Sequence, residues 1–410
     1  MSAAEPLATT PRTDSPDFAH PLSAAAVVGS TPAFKEPLLD GDRLLWLEQR
    51  PHERGRTTLM LRPPQERQPL ELTPGHWNLR SRVHEYGGGV YALHGPDLVW
   101  VHDGDRCLWH LRLDSTSGRP AGQPRRLTEP AERAFGGGLI DPHRQRWIGV
   151  QEAGGRDQLV AVPLVGGEPE LLHQPADFCG YPALSPDGRQ LAWVEWQQPC
   201  MPWERSQLWL ARIGAGGALE GARAVGGSAP GAGTAVSVFQ PLWIGAGALV
   251  VASDASGWWN LQRLDTASGH WQQLLPLEAE FAMPQWVFGM ATTAWDGRSL
   301  WAVACRQGIW QLGRVNLDPA VVGTAAAWQP LEQPFDDLAG LSAALAGDGA
   351  GRLVAIASNP TTPQGLLELE PSTGSWRHTP VAACPLAPAA ISQPEPLWFA
   401  GHGSAPTHAW

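Results

Sequence analysis

One apolar run, repeated seven times at nearly even spacing, constrains this chain more than any other feature. The copies are Leu44–Glu48, Leu98–His102, Arg146–Val150, Leu191–Glu195, Leu249–Ser253, Leu300–Ala304 and Leu353–Ala357. After a polar hairpin each is followed by a partner run such as Cys107–Leu111, Gln158–Val162, Gln207–Ala211 or Asn260–Leu264. Four of the leading runs follow an Asp-Gly pair: Asp40-Gly41, Asp187-Gly188, Asp296-Gly297 and Asp348-Gly349. That dipeptide suits a type I′ hairpin, in which both central residues need φ > 0. Three units close on similar turns, Asp114–Gly118, Asp265–Gly269 and Pro371–Gly374. A unit of this kind, recurring every ~50 residues, buries its apolar faces only against its neighbours. The pattern predicts an all-β fold, a seven-bladed β-propeller of four-stranded blades.

Within that frame Arg82-Val83-His84-Glu85-Tyr86-Gly87-Gly88-Gly89 stands out, followed by the β-rich Val90–Leu93. Consecutive glycines weaken a strand, so a chain keeps them where two backbones pass close together. Propeller strands converge on a central channel, and a second triplet, Gly136–Gly138, follows about one blade (~50 residues) later. The expectation is a glycine signature repeated blade by blade. The propeller is expected to span 36–375. An N-terminal extension (1–35) would precede it, with a short helix over Pro21–Gly29, and a Pro-rich linker with a strand at Leu397–Phe399 would follow (376–410).

Composition narrows the partners. A net charge of −11 argues against nucleic acid and against an anionic membrane surface. No apolar run reaches the ~20 residues of a membrane span, and the start of the chain lacks the features of a secretory signal. Cys107, Cys179, Cys200, Cys305 and Cys384 are dispersed singly, which reads as buried thiols in a reducing compartment, and hence the cytoplasm. His94, His102 and His110 recur evenly but lack accompanying carboxylates at ligand spacing, so they read as solvated strand-edge residues, and no metal or other cofactor is expected. The glycine runs lack the strand-to-helix context and the lysine of a phosphate loop. Trp258, Trp259 and Trp286 read as packing between blades, with an aromatic peptide-binding wall as the other option.

The Arg82–Gly89 motif resembles one found in the N-terminal propeller of prolyl oligopeptidase-family serine peptidases, in the dipeptidyl-aminopeptidase and acylaminoacyl-peptidase-like branch. Ser185–Arg189, Pro199–Trp203, Ser253-Asp254, Gly257–Leu261, Glu280-Phe281 and Pro284–Met290 are similar to the same branch, and Ile391–Pro396 resembles the entry to its catalytic domain. The resemblance runs from about Ser30 to the end. It implies a propeller that gates and filters short peptides for an α/β-hydrolase domain. No G-x-S-x-G elbow is present, so no catalytic residue is assigned and the 410 residues alone are expected to be inactive. Gly401–Ser404 does not fit the elbow and reads as a loop.

Arg82, His84, Glu85 and Tyr86 are the substrate-channel candidates. In one reading, Glu85 pairs with a substrate α-ammonium, an interaction that strengthens once water is excluded. In the other, Arg82 and Glu85 pair with each other across a hairpin and His84 packs. Two further classes stay open at this point: a free-standing propeller serving as a protein- or peptide-binding scaffold, and a propeller enzyme such as a lactonase or glycosidase. The latter would need metal ligands or paired carboxylates in the channel, where the identifiable segments offer mostly Gly, Pro, Phe and Trp.

Overall fold

In a computed structural model, which describes residues 29, 31–64, 66, 68–345 and 351–410, seven four-stranded antiparallel sheets follow one another along the chain. The sheets form the ring of a seven-bladed propeller. The first strands of the blades are Ala33–Asp40, Tyr91–His94, Arg133–Asp141, Phe178–Leu184, Val238–Trp243, Thr293–Trp295 and Asp337–Ala343. They pack against one another around the axis. The seven apolar runs of the sequence are the second strands, not the leading ones. A second strand has sheet on both edges and a neighbouring blade on both faces, so it is buried throughout, as in Asp97–Val101 and Ala248–Ser253. First strands face the channel on one side, are less completely buried, and escape a hydropathy reading. The expected helix over Pro21–Gly29, apart from Gly29 itself, and the Asp348-Gly349 turn lie outside the described residues.

The Asp-Gly hairpins differ from expectation. Gly41, Gly188 and Gly297 have positive φ, but their aspartates do not, so the turns are not type I′. Side chains build them instead. Asp187 Oδ1 accepts from the Arg189 N–H at 3.1 Å, and Asp296 Oδ1 accepts from the Arg298 and Ser299 N–H groups at 2.8 and 2.6 Å.

Apolar clusters fill the wedges between blades, with Trp100 and Trp193 fully buried in two of them. Burial of each such ring stabilises the fold by roughly 2–3 kcal/mol. Because every blade is one continuous stretch of chain, blades one and seven meet only through side chains and backbone contacts. Phe34, Leu39, Leu44 and Trp46 pack on Ala344, Val354, Ile356 and Leu366. Arg62 pairs with Glu368, and Arg352 with Asp42 at 2.7 Å. Glu368 is half buried, which alone would raise its pKa, but the Arg62 and Arg377 guanidiniums hold it below the usual range.

The fourth strand of the last blade is Ser375–Pro380, beyond the turn at which the repeat ceases to be readable. A separate hairpin, Leu397–Ala400 with Pro406–Ala409, includes the expected strand, and Gly401–Ser404 forms its turn. Among the described residues no helix is long and apolar enough to cross a membrane. Cys107 and Cys179 are buried; Cys200, Cys305 and Cys384, expected to be buried, are partly exposed. His94 is exposed, whereas His102 and His110 are buried, against the expectation of solvated edges. His110 is held by Asp97 at 2.8 Å, and His102 lies against the Asn78 backbone.

All seven blades share one backbone feature where they approach the axis. Glu36, Gly89, Gly137, Tyr181, Gln240, Gly289 and Gly340 have φ between +46° and +78°. In five first strands this is a bulge, two residues opposing one on the second strand. In blades two and six the residue lies just ahead of a shortened first strand. Four of the seven are glycine. Glu36, Tyr181 and Gln240 keep side chains at a cost of roughly 1–2 kcal/mol each.

Candidate substrate face and channel plug

Hairpins between second and third strands, and connections from blade to blade, emerge on the same face of the ring. Two of those connections, 72–90 and 274–292, are long, and they leave nearly opposite sides of the ring to meet over the axis. Gly88 and Phe288 form a parallel bridge, in which the Phe288 N–H donates to the Gly87 carbonyl at 3.0 Å. The Gly137 N–H donates to the Gly89 carbonyl at 2.9 Å, and Ser81 Oγ donates to the Phe135 carbonyl at 2.7 Å. Phe288 is 5% exposed, its ring set among Gly136, Gly137 and Gly180. Together these groups close the channel at this face.

The two glycine triplets are therefore not a blade-by-blade signature. Gly87–Gly89 lies in a connection, Gly136–Gly138 in a first strand, and the two are partners in one contact. A Cβ on Gly87 would stand 2.4 Å from the Ser81 carbonyl oxygen, on Gly88 2.2 Å from the Phe288 oxygen, and on Gly89 2.7 Å from the Gly137 Cα. Only glycine fits three successive positions of that kind with positive φ.

The three non-glycine residues of the axial ring tie the plug down. The Gly89 N–H donates to Glu36 Oε1 at 3.0 Å. Tyr181 donates its hydroxyl to the Val287 carbonyl at 2.7 Å. Gln240 Oε1 accepts from the Thr292 and Thr293 N–H groups at 2.7 and 3.1 Å, while its Nε2 donates to the Thr293 carbonyl at 2.9 Å.

Arg82 pairs with Asp103 at 2.8 Å and not with Glu85, so the expected Arg82–Glu85 pair is absent. His84 packs among Phe178, Trp196 and Phe288, with Nε2 on Asp157 at 2.8 Å and its N–H on Glu152 at 2.6 Å. The Cys179 N–H donates to the same buried Asp157 at 2.9 Å. His84, Glu152 and Asp157 bring ligand atoms within 4.8 Å of one another, a donor set suited to a divalent cation. Here hydrogen bonds occupy it, and it clasps the motif onto the third blade. Glu85 follows in a left-handed turn (φ 64°) and is exposed, with no side-chain partner among the described residues. It lines an open basin of about 600 Å³ with Arg80, Arg82, Arg106, Glu132 and Arg133. Tyr86 is 67% exposed.

Sequence reasoning placed Trp286 between blades, but it is 53% exposed on this face. Its ring lies 4.4 Å from that of Trp203 and 5.9 Å from that of Tyr86, centroid to centroid. Trp259 does pack inside, against the fifth and sixth blades. The Pro199–Trp203 segment was visible in the sequence, but its approach to Trp286 depends on the hairpin between the second and third strands of blade four meeting the connection from blade five to blade six. Met201, Trp258 and Ile309 are exposed on the same face, and Trp410 lies against the Gly308 hairpin there.

No protein-family model matches the chain, and the curated proteins give no match. Among solved structures, a Mycobacterium tuberculosis puromycin-hydrolyzing peptidase is similar at 30% identity and a TM-score of 0.83, over 95% of this chain and 59% of that one. A puromycin hydrolase is similar at 31% identity and a TM-score of 0.81, over 95% of this chain and 60% of that one. Prolyl oligopeptidase B from Galerina marginata, bound to a 35mer hydrolysis and macrocyclization substrate, shares the fold at 12% identity and a TM-score of 0.64, over 92% of this chain and 54% of that one. The chain thus spans less than two thirds of the length of these peptidases. The seven blades match the propeller portions of these structural neighbours, which are prolyl oligopeptidase-family peptidases, and the chain is similar to that N-terminal β-propeller.

Proposed function

We propose that this propeller selects substrates for a serine peptidase of the dipeptidyl-aminopeptidase and acylaminoacyl-peptidase-like branch, admitting short peptides. Its plugged face would lie against an α/β-hydrolase domain that carries the nucleophile, and the 410 residues would have no peptidase activity without it. The cytoplasm is the compartment we infer. The observation that carries the reading is Glu85, an exposed carboxylate with no side-chain partner among the described residues, next in the chain to Tyr86, whose ring lies 5.9 Å from that of Trp286.

Glu85 would pair with the α-ammonium of a bound peptide, and Tyr86, Trp286 and Trp203 would flank its first side chain. A charge-assisted bond of this kind, made in a site that a docked domain dries, contributes roughly 1.5–3 kcal/mol. The exposed apolar residues on the same face support a covering partner. The test is Glu85→Gln in the hydrolase-containing protein. The expected result is a fall of roughly 10- to 100-fold in kcat/KM for substrates with a free amino terminus, and little change for blocked ones. Equal effects on both substrate types would refute the α-ammonium role. Peptide turnover by the 410 residues alone, abolished by a serine-directed inhibitor, would refute the division of labour. A free-standing scaffold is the second reading, favoured by the same apolar face, and a native species of 44.1 kDa with no hydrolase partner would select it.

A further inference from the structure

Behind the plug the channel is a blind cavity of about 310 Å³, lined by all seven axial residues together with Tyr91, Pro182, Pro241, Phe288 and Met290. A second cavity of about 390 Å³ shares Leu38, Tyr91 and Gly138 with it and leads toward the opposite face. Glu36 is the one charged residue among those lining the inner cavity. Its position is costly twice over. The residue is held left-handed where glycine serves in four sister blades, and its half-buried carboxylate lines the inner cavity with no cationic side chain among the described residues paired to it. Tyr181 and Gln240 bear the first cost too, but their polar groups are engaged with the plug. Glu36 spends one oxygen on the Gly89 N–H, and no side-chain donor among the described residues reaches the carboxylate.

We propose that this cavity binds a small primary ammonium ion, with the Glu36 carboxylate as its counter-ion. The geometry suits such a ligand and few others. The hydroxyls of Tyr91 and Tyr181 are turned to backbone carbonyls, Glu36 O and Val287 O, both at 2.7 Å. What these residues, with Phe288, present to the cavity is aromatic surface, which attracts cations. An anion would meet a carboxylate, and a neutral molecule would leave the buried charge uncompensated. The volume admits an alkyl ammonium of a few carbons but not a folded peptide.

Burial raises the Glu36 pKa to about 7, against the favourable pull of the Gly89 and Val90 N–H groups and Lys35. The groups near enough to share in its titration are few. Tyr91 and Tyr181 are shifted upward by burial first and by Glu36 second, and stay neutral near pH 7. Lys35 turns away to Gln49 at 2.9 Å, while His94 and His143 line only the second cavity. An ammonium ligand requires ionised Glu36, so binding at pH 7 displaces a proton.

The experiment is calorimetric titration of the 410-residue chain with n-butylammonium chloride, and with n-butanol as its uncharged counterpart, at pH 8.5 and 5.5. The expected result is binding of the ammonium at pH 8.5, weakened about 30-fold at pH 5.5, with no heat from n-butanol. Repeating the titration at pH 7 in buffers of different ionisation enthalpy should register proton release. Glu36→Gln should abolish binding, and Glu85→Gln should leave it intact. Because Glu85 lies on the other side of the plug, that variant also separates this site from the proposed peptide contact. Absence of binding to the unmodified chain at pH 8.5, equal binding of n-butanol, or loss of binding in Glu85→Gln but not in Glu36→Gln would each overturn the proposal. The pH dependence of the unmodified chain keeps the test decisive should Glu36→Gln fold poorly.

Discussion

Two glutamates stand on opposite sides of one plug, and their surroundings differ in every respect that governs a carboxylate. Glu85 sits on the outer face in solvent, with four arginines around its basin and no direct side-chain partner among the described residues. Glu36 sits behind Gly89 in a cavity plugged at that face, with Tyr91, Tyr181 and Phe288 in its lining and no cationic side chain among the described residues that line it. The plug between them is little more than a few backbone segments thick. The outer carboxylate is exposed to solvent and is available to a ligand at little cost. The inner one is driven toward its neutral form by its own burial. Function follows from which side of a thin partition a side chain is placed on, more than from residue type.

Removing the partition is the strongest way to break this comparison. Gly88→Ala would place a Cβ 2.2 Å from the Phe288 carbonyl oxygen, against backbone that cannot yield cheaply. The expected loss is about 4 kcal/mol, read as the urea midpoint of unfolding, with the inner cavity opened at its plugged face in whatever remains folded. If the loss is under about 1 kcal/mol, the two connections are not packed as described.

Glu36→Gln tests the inner side. A carboxyl whose folded pKa is raised from 4.5 to about 7 binds its proton more tightly in the folded state. Its contribution to stability is therefore full below about pH 4.5 and is lost as the pH rises through 7. A neutral amide of the same shape should stabilise the protein by on the order of 2–3 kcal/mol at pH 8 and by nothing at pH 4. A gain independent of pH would mean that relief of buried charge is not its cause.

The seam between blades one and seven supplies the opposite sign. Arg62 and Arg377 hold Glu368 below the usual carboxylate range, so its contribution is present above about pH 4.5 and is lost as the pH falls through the lower folded value. Glu368→Gln should cost about 1 kcal/mol at pH 7 and low salt, and less at high salt, measured as the shift in thermal midpoint. Smallest of all is the effect expected from Glu85→Gln on stability, within about 0.5 kcal/mol at any pH, since the exposed side chain makes no contact to lose. A larger change would place Glu85 in the structure of the plug instead of on its surface.

The sevenfold repeat was legible because second strands are buried on every side, and burial writes itself as continuous apolar runs such as Leu353–Ala357. The first strands escaped because half of each faces a channel, where Glu36-Pro37, Tyr181-Pro182 and Gln240-Pro241 interrupt the period with a bulge. The Arg82–Gly89 motif was conspicuous, and its glycines did mark close backbone approach. The approach is to Phe288, about two hundred residues away in the chain, and no local rule connects the two.

Composition and periodicity thus determined by themselves that the chain forms blades, how many there are, and where their buried strands lie, because local burial is a property of short segments. Tertiary structure decided which glutamate lines the channel and which faces open solvent, that Trp203 meets Trp286, and that the channel is plugged at one face. Those outcomes depend on segments from opposite sides of the ring meeting at one axis, and only closure of the ring brings them there.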